Sequence, residues 1–273
     1  MKRFVSIFLA VAMAAMLFAG CGEAGEKKEI NSPADFEGAI VSAQSGTTAY
    51  DYLEAMRAEG VNIDTRYPKQ VLNCFDDLRL GRVDAVLVDS VVSAYYTKDS
   101  DEYKRAWLSD EGEPLGICMR KDSAGLAAAV EAAIDTMYYD GTMAEIAIKN
   151  FGENFTEGLR DVTEAPALPE GFQTIAAGVL TVGTNIGYPP MEYLAEDSKT
   201  FIGFDIDVAN ALGEVLGLEV KIVDTAWEGI FMALEKGEYD CIISSVSITP
   251  ERQEKYILTE PYVSNALCIV TKA

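Results

Sequence analysis

Residues 237–252 read GEYDCIISSVSITPER, and this stretch decides the fold. A glycine turn leads into a short apolar run at positions 241–243, which is followed abruptly by serines and a threonine. Pro250 then begins a charged segment, and proline is favoured in the first turn of a helix. The pattern predicts a short buried strand, a polar loop at its carboxyl end and a helix after the loop.

The polar loop after this strand is suited to bind a carboxylate. Ser245 and Ser247 supply hydroxyl groups, and Arg252 follows close behind them. A guanidinium binds a carboxylate through two parallel hydrogen bonds, and free backbone N–H groups add further charge-assisted bonds. Serine-rich loops also occur as plain turns, so the loop alone leaves both interpretations open.

A second copy of the pattern lies at residues 78–89. Residues 78–84 (LRLGRVD) and 234–240 (LEKGEYD) share the frame L-x-x-G-x-x-D, and an apolar run follows each copy. Five residues after the shared aspartate, one copy has Asp89 and the other has Ser245. Both are predicted at the carboxyl ends of buried strands, where open α/β sheets bind ligands. An anion in one unit and a cation in the other would suit a zwitterion, whereas a generic helix–turn–strand repeat would share no site.

The rest of the chain alternates predicted strands and helices, which indicates an α/β fold with mainly parallel sheets. The glycine turn QSGTT at residues 44–48 joins a predicted strand to a helix and places its backbone N–H groups beside Asp89. This turn lacks the lysine of a P-loop and the three-glycine spacing of a dinucleotide fold. Residues 152–171 are rich in glutamate, proline and glycine, and we expect them to form a connector.

Two aromatic side chains follow predicted strands at the same sheet edge. Tyr188 and Trp227 either pack in the core, as most aromatic residues do, or hold a small ligand between their rings. The residues themselves leave both interpretations open.

The amino end has the pattern of a targeting segment. Lys2 and Arg3 precede an apolar run at positions 4–18, which is shorter than the ~20 residues of a membrane span. Residues 17–21 (LFAGC) resemble the bacterial lipoprotein processing site, with a plain secretory signal as the alternative. We therefore predict a lipoprotein signal peptide at 1–20 and a tether at 21–35 that is lipidated on Cys21. The protein would then be extracytoplasmic and anchored to the cell membrane.

Composition narrows the possible functions. Of the 273 residues 49% are hydrophobic, the formal net charge is −22 and histidine is absent. A chain this acidic is a poor nucleic-acid binder. The absence of histidine excludes Ser-His and Cys-His catalysis and histidine metal sites. We expect no cofactor, no metal and two domains in the mature chain.

Four cysteines besides Cys21 fall in predicted strands or helices, and no C-x-x-C pair exists: Cys74, Cys118, Cys241 and Cys268. This pattern argues against a zinc or redox motif. Buried free thiols are the first interpretation, and a disulfide between Cys241 and Cys268 is the alternative for an exported protein.

Several motifs together resemble the polar-amino-acid family of extracytoplasmic solute-binding proteins, which serve ABC importers. These are VGTNIGYPPMEY (182–193), FIGFDIDVANALGEVLGLEV (201–220), the run from WEGIFMALEKG through SSVSITPER to EPYV (227–263), QSGTT (44–48) and GRVDAVLVD (81–89). The resemblance implies a type II periplasmic-binding-protein clamshell of two lobes that close around a hinge.

The order of these segments departs from the family, in which the part resembling 179–272 comes first. The chain therefore resembles a circularly permuted member, with lobe two at 36–112, lobe one at 113–273 and residues 152–177 as the permutation connector. Such a permutation is expected to cut one of the two hinge strands, leaving the strand near Pro114 as the single covalent link. Looser closure than usual would follow.

The resemblance also implies roles for individual residues in binding a free amino acid. Arg252 would clamp the α-carboxylate with support from Thr48, and Asp89 would accept the α-ammonium. Ser245 and Ser247 would contact the amino and carboxyl groups. Tyr188 and Trp227 would sandwich the ligand, and Gln44 and Asn185 would contact its side chain. The two neutral amides favour a neutral polar or thiol-type amino acid. Glu192 would favour a cation if it pointed into the cleft, although a solvated position is the expectation for it.

The family resemblance leaves other functions open. Some relatives on this fold are dehydratases of prephenate-like acids, and such an enzyme needs a carboxylic acid of raised pKa in the cleft. Glu192 is the candidate for that acid. A ligand-sensing receptor subunit would use the same site with a different membrane partner. The favoured function is a monomeric, non-enzymatic binding protein that delivers an amino acid to an ABC permease.

Overall fold

Short apolar strands followed by amphipathic helices build two α/β lobes in the computed structural model, which describes residues 29–273. The predicted signal peptide, Cys21 and most of the tether lie outside these residues. Within them, no helix combines the length and apolar character that a membrane crossing requires.

The helices follow a 3-10 turn at Pro33–Phe36 and are α1 (Thr48–Ala58), α2 (Val71–Arg79), α3 (Ser90–Thr97), α4 (Ala124–Asp140), α5 (Thr142–Phe151), α6 (Phe204–Leu216), α7 (Trp227–Glu235) and α8 (Pro250–Lys255). The strands are β1 (Ile40–Ser42), β2 (Asp64–Arg66), β3 (Ala85–Asp89), β4 (Tyr103–Gly112), β5 (Cys118–Arg120), β6 (Val179–Thr184), β7 (Tyr193–Leu194), β8 (Phe201–Ile202), β9 (Glu219–Asp224), β10 (Cys241–Ile242), β11 (Tyr256–Leu258) and β12 (Ala266–Lys272).

The two five-stranded sheets have the same plan. One has the strand order β2-β1-β3-β12-β4, and the other has the order β9-β6-β10-β5-β11. In each sheet the first three strands are parallel, and the fourth is antiparallel to both of its neighbours. This confirms the α/β fold of two similar units, with sheets that are mixed beyond their parallel part.

The repeated L-x-x-G-x-x-D frame has one structural role in both lobes. Asp84 Oδ2 accepts a hydrogen bond of 2.9 Å from the backbone N–H of Ile40, and its own N–H donates to the Ile40 carbonyl. Asp240 Oδ2 accepts one of 2.8 Å from the N–H of Thr181, and its N–H donates to the Thr181 carbonyl. Each aspartate thereby fixes the strand that carries the site to the neighbouring strand.

The final strand lies in the opposite lobe from the one predicted. Residues 113–273 were expected to form lobe one, but β12 pairs antiparallel with β3, Leu267 opposite Asp89, and with β4. Buried Cys268, Ile269 and Val270 fill the centre of the lobe-two sheet. The boundary at residue 273 is therefore wrong for β12. The apolar sequence predicts a strand without identifying which strands it pairs with.

Two strands cross between the lobes, so the prediction of a single covalent link is also wrong. The chain passes from lobe two to lobe one at Glu113, whose N–H donates to the Asn265 carbonyl at 2.8 Å. It returns along an adjacent antiparallel segment, where Tyr262 N–H donates to the Leu115 carbonyl at 3.0 Å. The first and last described residues lie together in lobe two, where Glu29 and Ala273 line one cavity. The hinge is therefore double, and the reason given for looser closure no longer applies.

The segment between α5 and β6 is attached to lobe one by an arginine. The Arg160 guanidinium is paired with Glu131 and Asp135 at 2.6 Å each and donates to the Pro261 carbonyl. This ties the predicted connector to α4 and to the hinge region.

All four cysteines in the described residues are free and buried. Cys241 and Cys268 lie in different sheets, so the alternative of a disulfide between them is wrong. No cluster of potential metal-ligating side chains occurs in residues 29–273.

Candidate functional site

A narrow cavity lies between the two lobes, with about 20 Å³ of space for a water-sized sphere. The structure brings all nine predicted ligand-binding side chains to its wall: Gln44, Thr48, Asp89, Asn185, Tyr188, Trp227, Ser245, Ser247 and Arg252. Thr47, Glu192 and Ser244 complete the lining.

Lobe two contributes residues that follow β1 and end β3. Thr47 caps α1, with its Oγ1 accepting from the Tyr50 N–H at 3.3 Å and donating to the Gln44 carbonyl at 2.8 Å. This capping shapes the QSGTT turn so that Gln44 and Thr48 lie on the cavity wall. Asp89 ends β3, as the pattern predicted.

Lobe one contributes residues that follow three neighbouring strands. Asn185 and Tyr188 follow β6, Trp227 begins α7 shortly after β9, and the serines follow β10. Arg252 lies in α8, where Thr249 is the N-cap and its Oγ1 accepts from the Arg252 N–H at 3.3 Å. The carboxyl ends of parallel strands thus bring distant parts of the sequence to one edge.

Asp89 is a buried carboxyl group at the cavity wall. Its Oδ2 accepts from Tyr188 Oη at 2.6 Å, and its Oδ1 accepts from Asn265 Nδ2 at 2.7 Å. Burial raises the pKa of Asp89 to about 7, and the nearby Glu113 charge adds to this effect while the two hydrogen bonds and Arg252 oppose it. A cation in the cavity would favour the ionised form.

Arg252 is the cation of the site. Its guanidinium stacks 5.6 Å from the Trp227 ring centroid and 5.3 Å from that of Phe231, and its Nη1 donates to the Ser247 carbonyl at 2.9 Å. In residues 29–273 it forms no ion pair. Burial lowers its pKa from the ordinary 12.5. A half-buried guanidinium without a carboxylate partner is a ready site for an anion.

Ser245 adopts an unusual backbone conformation with a φ of 50°. Its N–H donates to Asp205 Oδ2 at 2.8 Å, and the other oxygen of Asp205 accepts from Tyr262 Oη at 2.7 Å. The Ser245 hydroxyl is buried and has no hydrogen-bond partner in the described part of the chain. Buried hydroxyls are rarely left unpaired, so this group is available to a ligand.

Glu192 is buried at the cavity wall, and the expectation that it lies in solvent is wrong. Its Oε1 accepts from Ser244 Oγ at 2.7 Å, while its Oε2 has no hydrogen-bond partner among residues 29–273. Burial and the neighbouring Asp205 carboxylate raise its pKa well above the ordinary value. The sequence MEY contains no sign of this burial, because Ser244 and Asp205 are distant in the chain.

The lobes are in contact across the cavity. Gln44 Nε2 donates to Asn185 Oδ1 at 3.2 Å, and Trp227 Nε1 donates to the Gly46 carbonyl at 2.8 Å. Lys69 and Glu228 add an exposed ion pair of 2.7 Å. The structure therefore represents a closed arrangement of the lobes.

Glu113 is a site residue that the sequence interpretation missed. Its Oε1 accepts hydrogen bonds from Thr48 Oγ1 at 2.5 Å and from Ser247 Oγ. Two hydroxyls that the family resemblance assigns to ligand contacts are thus occupied by a side chain of the protein. The position beside Pro114, at the predicted hinge, was the one available signal.

Part of the chain matches a known family model. Residues 180–273 match the model of the bacterial extracellular solute-binding proteins, family 3. Among curated proteins, the L-cystine-binding protein TcyA of Bacillus subtilis is 34% identical over 95 residues, covering 35% of this chain and 35% of that protein. Cyclohexadienyl dehydratase of Pseudomonas aeruginosa is 32% identical over 97 residues, covering 36% of each chain.

A solved structure adds a match that spans most of a smaller protein. The arginine-bound form of domain 1 from TmArgBP is 31% identical, with coverage of 35% of this chain and 80% of that chain and a TM-score of 0.31. The chain spans less than half of the length of the curated relatives it matches.

Proposed function

We propose that this chain, which belongs to the bacterial extracellular solute-binding proteins of family 3, captures a free amino acid between its two lobes. The observation that carries the proposal is one cavity with opposite charges on its wall. Arg252 has no carboxylate partner in the described residues, and Asp89 has no cationic one. A zwitterion supplies both missing partners.

The α-carboxylate of the ligand would lie against Arg252 and the unpaired Ser245 hydroxyl. The hydroxyls of Thr48 and Ser247 would complete its position. The α-ammonium would lie against Asp89, whose carboxylate is already oriented by Tyr188 and Asn265. Because Asp89 is buried and Arg252 is half-buried, each interaction is stronger than it would be at the surface, and the loss of either partner leaves a poorly solvated charge unpaired. The site therefore suits a ligand that carries both groups on one carbon.

We infer that the ligand side chain is neutral and polar or contains sulfur. The amides of Gln44 and Asn185 line its position, and burial raises the pKa of Glu192, which disfavours the charged form of this carboxyl group. A carboxyl group whose charge is disfavoured attracts a cationic side chain less strongly. The cystine-binding relative is in line with this class of ligand.

The remaining parts of the proposal concern location and partners. The chain would be a monomer held to the cell membrane through lipid on Cys21, and it would deliver its ligand to an ABC permease subunit. The segment order would be that of a circular permutation, with residues 152–177 as the new connector. Support for this order comes from the family match at residues 180–273, which follows residues 36–112 of lobe two.

An enzymatic function is the second candidate, and Glu192 favours it. A buried carboxylic acid of raised pKa lines the cavity, as a general acid requires, and a dehydratase is among the relatives. Incubation of the chain with a cyclohexadienyl acid tests this function. Turnover that disappears in Glu192→Gln would establish it and displace the binding function.

A thermal-shift screen of the purified chain against the twenty amino acids and cystine tests the binding function. A ligand that binds the folded state alone raises the melting temperature by mass action. We expect a shift with one or a few amino acids, abolished by Arg252→Ala and retained by Arg79→Ala, a variant of an exposed arginine on α2. If no amino acid raises the melting temperature of protein that is free of bound ligand, the proposal is wrong.

A further inference from the structure

Glu113 lies where the two lobes meet, next to two residues that line the cavity. It follows β4 of lobe two directly, and its backbone N–H donates to the Asn265 carbonyl of the returning hinge strand at 2.8 Å. Its carboxylate bridges the lobes, because Thr48 belongs to lobe two and Ser247 belongs to lobe one. One side chain at the hinge thus joins both walls of the cavity.

The Glu113 carboxylate has the surroundings of a bound carboxylate ligand. Two hydroxyls donate to the same oxygen, and Thr48 and Ser247 both line the cavity that holds Arg252. The negative charge of Glu113 acts on both ends of the site, since it opposes the lowering of the Arg252 pKa by burial and adds to the raising of the Asp89 pKa. The carboxylate of an amino acid cannot accept from the same two hydroxyls while Glu113 holds them.

We propose that Glu113 is a built-in competitor that occupies the ligand-carboxylate position through Thr48 and Ser247 and sets the affinity for amino acids. This inference rests on the proposed function and deepens it. An amino acid binds after Glu113 has left the two hydroxyls, and the free energy of the two charge-assisted bonds is subtracted from the binding free energy. Hydrogen bonds to charged groups are strong enough that Glu113 should lower the affinity for an amino acid by at least about tenfold, relative to a protein without this side chain.

The competition acts on one part of the ligand. An amine that lacks the α-carboxylate does not need the position of Glu113, so removal of this side chain gives it no advantage. Removal of the negative charge would even weaken the binding of an amine. The difference between an amino acid and its decarboxylated amine therefore separates competition at the carboxylate position from a general charge effect.

The test compares Glu113→Ala with the wild type and with Glu111→Ala, an exposed position two residues earlier on β4. The ligand is the amino acid that raises the melting temperature of the wild type. Calorimetry should show that it binds Glu113→Ala at least about tenfold more tightly than it binds the wild type, while binding of the matching amine stays equal or weakens. Equal or weaker binding of the amino acid to Glu113→Ala would overturn the proposal. Glu113→Gln, which keeps the size of the side chain, serves if the alanine variant does not fold, with the same expected direction.

Acetate provides a readout that is independent of amino-acid binding. The position vacated in Glu113→Ala should accept acetate, which would raise the melting temperature of this variant and leave the wild type and Glu111→Ala unchanged. Equal responses of the three proteins would show that Glu113 does not hold a carboxylate position. If acetate rescues the variant but no amino acid binds any protein, the function proposed above fails and the assignment of Glu113 stands.

Discussion

Replacement of Asp89 by asparagine should stabilise the ligand-free protein while it abolishes amino-acid binding. The site contains a carboxyl group whose charge is unfavourable in the absence of a ligand, because burial raises its pKa from 3.8 to about 7. Asparagine has nearly the same shape and has no charge to bury. Its oxygen can accept from Asn265 Nδ2, and its amide group can donate to Tyr188 Oη.

The magnitude follows from the two pKa values of Asp89. Between about pH 4 and pH 7 the folded protein keeps a proton that the unfolded chain has released, so the stability of the wild type decreases as the pH rises. At about 1.4 kcal/mol for each pH unit, the difference between 3.8 and about 7 amounts to roughly 4 kcal/mol as an upper value. The stabilising effect of Asp89→Asn should therefore be near zero at about pH 4 and reach a few kcal/mol at about pH 8.

Urea denaturation of the ligand-free proteins at these two pH values measures the effect. Asp101→Asn, at an exposed turn, is the matched control and should change the stability little at either pH. Calorimetry with the ligand of the wild type completes the experiment and should show no binding to Asp89→Asn. If the variant is less stable than the wild type at pH 8, or if the difference does not grow with pH, the argument for a functional buried charge is refuted.

Three further predictions concern the same site and the sheet beneath it. Amino-acid affinity should fall by up to about tenfold for each pH unit below about pH 7, because Asp89 must release its proton before it pairs with the ligand ammonium. A calorimetric affinity that stays constant from pH 8 to pH 5.5 would contradict this. Arg252→Lys keeps the charge and loses the planar fork, so binding should weaken by about tenfold or more, and unchanged affinity would exclude a two-bond clamp. Gly183→Ala should lower the free energy of unfolding by about 1–3 kcal/mol or more, since its Cβ would meet the ring of buried Tyr239 at 2.3 Å. Gly112→Ala is the control, because its Cβ would meet no atom within 4 Å. Equal urea denaturation midpoints of the two variants would contradict this packing argument.

The parts of the fold that sequence predicts are those with local causes. Helices α5 (Thr142–Phe151) and α6 (Phe204–Leu216) each end directly before a glycine, because Gly152 and Gly217 adopt the left-handed conformation that ends a helix. The residues of the site could be predicted from the sequence for a similar reason. Each predicted residue follows or ends a strand, or begins the helix after it, and the carboxyl ends of parallel strands converge. The ligand roles of these residues remain predictions.

The parts that the sequence did not predict depend on contacts between distant residues. The apolar residues of β12 indicate a buried strand but fit either lobe. Its pairing with β3 and β4, which assigns it to lobe two, is visible only in the structure. Glu192 reads as a surface residue until Ser244 and Asp205 surround it. Glu113 also looks like a surface residue, because it lies within an acidic segment of the sequence. Its role depends on the hydroxyls of Thr48 and Ser247, which are 65 and 134 residues away in the chain.

A crystal structure of the chain with the amino acid that raises its melting temperature tests the central claim most directly. The account predicts the ligand between the lobes, with its carboxylate on Arg252, its ammonium on Asp89 and the Glu113 carboxylate moved away from Thr48 and Ser247. A ligand bound outside this cavity, or bound in it with the ammonium far from Asp89 and the carboxylate far from Arg252, would contradict the account.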